Sequence, residues 1–170
     1  MRQGLVHLYW GEGKGKTTAA VGLAVRALGA GEQVTVVQFL KNGRSAELAA
    51  LQKLGASVYA GKADTRFTVQ MTQEEKAATK ALQTQQLQEA LAAPCNFLIL
   101  DEACAVWQLD MVERALLKQA VLERPADREV VLTGRNPAEW MLAAADYSTE
   151  MRCHQHPYEK GIKARKGVEF

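Results

Sequence analysis

Only 3 cysteines and 4 prolines occur among the 170 residues. Cys95, Cys104 and Cys153 form no CxxC pair, and an odd number is a poor disulfide framework, so a reducing cytoplasm is the expected setting. No apolar run approaches the ~20 residues that span a bilayer, and no membrane association is expected. A run of β-formers begins at Leu5, which leaves no room before it for a signal peptide, and none is expected. Excess charge of one sign is also missing. The 21 Lys+Arg against 19 Asp+Glu leave a net +2, too little for a polyanion-binding surface, so nucleic acid is not an expected partner. What is present, 48% hydrophobic and 24% charged residues, excludes disorder, collagen-like repeats and a coiled coil. The length suits one domain, residues 1–170, with a substantial core.

Short β-type runs alternate with helical stretches along the chain. Leu5–Trp10, Val34–Phe39, Asn96–Leu100 and Glu129–Thr133 read as strands, with a weaker one at Ser57–Tyr59. Helices are expected over Thr17–Leu28, Ser45–Leu54, from Thr72 to Ala92, over Asp110–Glu123 and over Pro137–Ala144. Thr72 and Glu75 form a capping-box start. The almost unbroken apolar run Phe97–Leu100 belongs to a strand buried on both faces, as in a parallel sheet covered by helices. Strand–helix alternation therefore predicts a three-layer α/β domain with a mostly parallel central sheet, and the glycine-rich Gly11–Thr18 segment after its first strand makes the expected type P-loop NTPase-like (RecA-like). Its ligands would bind beyond the carboxyl ends of the strands, at the loops after Trp10, Phe39, Leu100 and Thr133.

The strongest motif is Gly11-Glu12-Gly13-Lys14-Gly15-Lys16-Thr17-Thr18, between the first strand and the first helix. Glycines let the backbone turn its N–H groups around phosphate oxygens, and the helix N-terminus adds a positive field. Lys16 would neutralise phosphate charge, and the Thr17 hydroxyl would ligate Mg²⁺. The loop is one residue short of the usual spacing: three residues separate Gly11 from Gly15, and Trp10 stands where a glycine would otherwise be needed. Asp101-Glu102, closing a buried strand, fits a carboxylate site facing the Mg²⁺ from the neighbouring strand. Which of the two touches the metal is open, and the plainer alternative is a helix cap or a solvated loop charge.

Taken together, several segments resemble the P-loop type of ATP:corrinoid adenosyltransferase. They are Gly11–Ala20, Val37–Lys41, Leu100–Glu102, Thr133–Pro137, Ala145-Asp146 with Glu150-Met151, His156–Tyr158 and Gly161–Phe170. The resemblance implies transfer of the 5′-deoxyadenosyl group of ATP to the cobalt of a reduced Co(I) corrinoid, with release of triphosphate. It implies a nucleotide lying reversed in the shortened loop. Cobalt(I) is itself the nucleophile, so no catalytic base is required of the protein. ATP would be held by Gly11, Glu12, Gly13, Lys14, Gly15, Lys16, Thr17 and Thr18, with Mg²⁺ (or Mn²⁺) on Thr17, Asp101 and Glu102. Arg135 is a candidate for a further phosphate or nucleotide contact, against the alternative of a surface arginine in a turn. Lys16 and Thr17 serve the leaving triphosphate, and Phe67 is the candidate for an aromatic wedge under the corrin that helps remove cobalt's lower ligand. An electron-donating reductase or flavoprotein and a homodimer are also implied.

The chain departs from the family in Trp10, where Thr is common, in Glu12, where Asn or Asp is usual, and in Val69, where a tryptophan would follow the wedge. An N-terminal helical extension present in some members is missing from this sequence. Cys153-His154-Gln155-His156 makes a poor tetrahedral metal set, and His156 is expected on a substrate-side loop. Trp107 and Trp140 are expected in the core rather than against a cofactor, and Cys95 and Cys104 beside the sheet. The alternatives to adenosyl transfer are a P-loop ATPase or kinase acting at the γ-phosphate and a nucleotide-gated corrinoid-binding module.

Overall fold

A computed structural model describes residues 3–62 and 70–168. Six strands, β1 (Val6–Trp10), β2 (Val34–Gln38), β3 (Ser57–Ala60), β4 (Phe97–Asp101), β5 (Glu129–Gly134) and β6 (Tyr147–Glu150), form one sheet in the order β3-β2-β4-β5-β1-β6. Every pairing is parallel. Among the described residues six α-helices accompany them: α1 (Lys16–Gly29), α2 (Ala46–Lys53), α3 (Gln73–Ala92), α4 (Ala103–Gln108), α5 (Arg114–Leu122) and α6 (Glu139–Ala144). No described helix is long and apolar enough to cross a membrane.

The two-residue period of the strands sorts their side chains between two cores. Phe97 and Ile99 join Val34, Val36 and Val131 on one face, under the Ala20, Ala24 and Ala27 stripe of α1 and Leu48 and Leu51 of α2. Leu98 and Leu100 join Val6, Leu8, Val130 and Leu132 on the other, under Leu87 of α3, Val106 of α4, Leu117 of α5 and Met141 of α6. This is the three-layer α/β arrangement expected, consistent with a P-loop NTPase-like fold. The capping box is present as read: Thr72 Oγ1 accepts the Glu75 N–H at 3.2 Å, and the Glu75 carboxylate accepts the Thr72 N–H at 2.7 Å.

Two elements differ from expectation. The helix expected over Asp110–Glu123 starts later, at Arg114, and α4 stands before it. Asp110 has a left-handed backbone (φ 53°) that breaks the path between them, and the Glu113 carboxylate caps α5 by accepting the Ala115 N–H at 3.4 Å. At six residues, α4 is too short to display a helical period in sequence. Asp101 also does not face the loop from the neighbouring strand, because β5 lies between β1 and β4.

Candidate active site

The loop after β1 turns through two left-handed glycines, Gly11 (φ 103°) and Gly15 (φ 117°). Gly15 occupies the N-cap of α1, where no side chain caps the helix, so its first amides are left for an anion. The chain after β6 presses directly on the loop. The Met151 carbonyl accepts the Gly13 N–H at 2.6 Å, and the Met151 N–H donates to the Trp10 carbonyl at 2.7 Å. A methyl on Gly13 would lie 2.7 Å from the Met151 carbonyl carbon and 2.8 Å from that of Arg152, so only glycine permits this approach. The Lys16 ammonium donates to the loop's own Gly13 carbonyl at 2.7 Å. Burial pulls the Lys16 pKa down, with Arg135 adding to the effect against the opposing charges of Glu102 and Glu12.

Asp101, only 1% exposed, is the centre of a polar knot. Its Oδ1 accepts the Thr17 hydroxyl at 2.8 Å and the Thr133 hydroxyl at 2.7 Å. Its Oδ2 accepts the Lys41 ammonium at 2.7 Å and the Gln38 amide at 3.2 Å. Thr133, on the intervening β5, thus spans the gap that the sheet order opens between β1 and β4. Four donors fill the roughly four acceptor positions of a carboxylate. Lys41 reaches this point because Leu40 takes a left-handed backbone (φ 58°), held by its N–H donating to Gln83 Oε1 at 2.6 Å. Burial lowers the Lys41 pKa, but the charge and hydrogen bond of Asp101, with Glu102 and Glu47, outweigh it and the net direction is up.

Glu102 turns the other way. Its left-handed backbone (φ 62°), anchored by its N–H donating to Thr133 Oγ1 at 3.0 Å, swings the side chain from the strand end to the wall of the crevice. Burial, and then the charge of Asp101, push its carboxyl above the ordinary range. Among the described residues nothing hydrogen-bonds that carboxylate. Non-glycine residues in this region cost of order 1 kcal/mol or more and concentrate at functional sites.

Part of this set lines a crevice of about 910 Å³ beyond the carboxyl ends of the strands; Asp101, Gln38 and Thr133 are not in its lining. Lys14–Thr18, Lys41, Asn42, Glu47, Glu102 and Arg135 line it. His156, Gly167 and Val168 of the C-terminal segment also line it. Arg135 pairs with Glu12 at 3.3 Å across the mouth, both side chains being more than half exposed. Trp10 donates its indole N–H to Ser148 of β6 at 3.0 Å. Trp107 and Trp140 meet edge to face at 5.0 Å and pack against the core, and burial pushes the Cys104 thiol up to about 12. Phe67 and Val69 lie outside the described residues. Lys41, Gln38 and Thr133 are the site residues that sequence reading did not assign. The run Val37–Lys41 was the available signal, but its chemistry depends on contacts between distant segments.

The family model described as ATP:corrinoid adenosyltransferase BtuR/CobO/CobP matches residues 2–170. A corrinoid adenosyltransferase of Pseudomonas aeruginosa is 34% identical, covering 99% of this chain and 84% of that protein. Corrinoid adenosyltransferase CobA of Salmonella typhimurium is 32% identical, and a corrinoid adenosyltransferase of Escherichia coli K12 is 30% identical, each covering 99% of this chain and 86% of the relative. The shortened glycine loop, the Asp101-Glu102 strand end and the crevice between them thus all lie inside the matched region, and the chain belongs to the ATP:corrinoid adenosyltransferase family.

Proposed function

We propose that this chain, acting as a single domain, transfers the 5′-deoxyadenosyl group of ATP to the cobalt of a Co(I) corrinoid. The cobalt electron pair forms the Co–C5′ bond as the C5′–O bond breaks, and that oxygen leaves with the triphosphate. The protein's tasks are then to aim C5′ at cobalt and to stabilise the leaving charge. The α1 amides, Lys14, Lys16 and Thr18 face the crevice where the triphosphate would lie. Lys16 would exchange its bond to the Gly13 carbonyl for a phosphate oxygen, and Arg135 would give up Glu12 for the nucleotide.

The donor set beside Lys16 fits Mg²⁺ (or Mn²⁺): a hydroxyl and two carboxylates, all hard oxygen ligands. Gln38 Oε1, buried in the same knot without a partner, adds an unclaimed oxygen. Asp101 is saturated by four protein donors while Glu102 is not, so Thr17 and Glu102 are the ligands proposed to touch the ion, with Asp101 orienting Thr17. When bound, the ion supplies positive charge to the triphosphate. Phe67 is proposed as the wedge beneath the corrin, a reductase or flavoprotein as the source of the electron, a second copy as the partner, and the cytoplasm as the compartment.

The observation that carries this reading is the family match running through every loop that lines the crevice. Incubation with ATP, Mg²⁺ and chemically reduced cobalamin tests it, by following the cobalt–carbon chromophore and the phosphate products. Adenosylcobalamin with triphosphate is expected. ADP and phosphate formed without corrinoid would instead identify a γ-phosphate enzyme, and tight corrinoid binding without turnover a carrier. Phe67→Ala should slow the reaction starting from cob(II)alamin; an unchanged rate removes Phe67 from the lower face.

A further inference from the structure

Lys41 Nζ lies 2.7 Å from Asp101 Oδ2 and 3.5 Å from Thr17 Oγ1. It therefore bridges the Thr17 hydroxyl, proposed above as a metal ligand, and the Asp101 carboxylate that orients it. Its side chain is 30% exposed and lines the crevice, so an anion in the crevice has access to the same ammonium. The left-handed turn at Leu40, fixed by the wholly buried Gln83, directs this lysine into the knot rather than to solvent.

We infer that Lys41 is a tethered stand-in for the metal: its ammonium shields Asp101 and Thr17 from free divalent cations until the triphosphate draws it into the crevice. The inference rests on the metal site proposed above at Thr17 and Glu102, with Asp101 orienting Thr17. Its physical basis is charge. A divalent cation on Thr17 would stand within ~4–5 Å of the ammonium, a separation at which like charges repel in any dielectric a protein offers. With nucleotide present, phosphate oxygens give the ammonium an alternative acceptor, and ion and lysine then neutralise the same polyanion. Metal entry thereby becomes dependent on ATP. Lys41 acts here as a positioning residue, holding the Thr17 hydroxyl and the Asp101 carboxylate in place while the nucleotide is away.

The test measures Mn²⁺ binding by electron paramagnetic resonance, with Mn²⁺ alone and with Mn²⁺ plus a non-hydrolysable ATP analogue. The unmodified protein should bind Mn²⁺ weakly alone and much more tightly with the analogue. Lys41→Met and Lys41→Gln should tighten nucleotide-free Mn²⁺ binding at least tenfold, and Lys41→Arg, which keeps the charge, should not. Lys41→Gln retains a donor for Asp101 and serves if Lys41→Met fails to fold. Neutral variants that bind free Mn²⁺ no more tightly than the parent overturn the inference, as does an equal gain in Lys41→Arg. Glu102→Gln added to Lys41→Gln should erase the gain. A gain that survives it, or absence of Mn²⁺ binding with the analogue in every variant, overturns the metal site itself and the inference with it. Normal analogue-dependent binding with no nucleotide-free gain removes the role of Lys41 alone.

Discussion

Gln83 Oε1 accepts the backbone N–H of Leu40 at 2.6 Å, joining the middle of α3 to the loop that carries Lys41. The same carboxamide donates from Nε2 to the Met111 carbonyl at 2.9 Å, and the residue is 0% exposed. A polar side chain this deep is tolerated because both ends are satisfied. Gln83→Met keeps the shape but leaves the Leu40 N–H and the Met111 carbonyl without partners, at about 1–3 kcal/mol for each. We expect a lower urea midpoint together with a raised KM for ATP, as Leu40 loses the bond that fixes its left-handed turn. A variant destabilised to this degree with an unchanged KM would separate the core bond from the site.

How far the site could be read in advance depends on where its contacts lie in the chain. Gly11–Thr18 is legible because a strand, glycines and a helix start follow one another locally, and both left-handed turns fall on glycine. Asp101-Glu102 is legible as a pair, but not the division between them, which arises from the left-handed backbone at Glu102 and the four donors converging on Asp101. The donors Lys41, Gln38 and Thr133 lie 60, 63 and 32 residues from Asp101. Only the strand order, with β4 between β2 and β5 and with β5 inserted between β4 and β1, brings them together. The same insertion explains why a carboxylate expected on the neighbouring strand belongs to the next one.

Two glycines test the reading of the loop against a control. Gly13→Ala forces a methyl to 2.7 Å from the Met151 backbone, which cannot move without shifting the end of β6. Overpacking of this kind costs about 1–3 kcal/mol. Gly22, exposed inside α1, has nothing within 4 Å of an added methyl, and Gly22→Ala should stabilise by roughly 0.5–1 kcal/mol through helix propensity. Chemical denaturation should give opposite signs for the two variants, and only Gly13→Ala should lose ATP affinity by equilibrium dialysis.

The exposed Glu12–Arg135 pair should be silent in stability and audible in binding. Pairs of this exposure contribute about 0–1 kcal/mol, so neither Glu12→Ala nor Arg135→Ala should move the melting temperature appreciably. Arg135→Ala should raise the Kd for ATP about tenfold, the worth of one charge-assisted hydrogen bond to the nucleotide. The effect should shrink with added salt. An unchanged Kd would return Arg135 to the status of a surface arginine.

Glu102 should cost the unliganded protein stability. Burial and the charge of Asp101 raise its carboxyl pKa in the folded state, so the folded chain holds that proton more tightly than the unfolded chain does. Stability from this linkage is complete below the ordinary carboxylate range and is lost as pH rises through the raised value. Above that value a partly buried carboxylate without hydrogen bonds stands beside Asp101, and Glu102→Gln removes its charge. In EDTA and without nucleotide, Glu102→Gln should therefore melt above the parent at pH 8, by about 2–4 °C for each kcal/mol relieved. The difference should close as pH falls into the ordinary carboxylate range, where both side chains are neutral. With Mg²⁺ and ATP the order should reverse, because only the parent then gains the free energy of metal-nucleotide binding. A parent more stable than Glu102→Gln in EDTA at pH 8 would mean that Lys16, Lys41 and Arg135, whose charges favour the carboxylate, outweigh its burial.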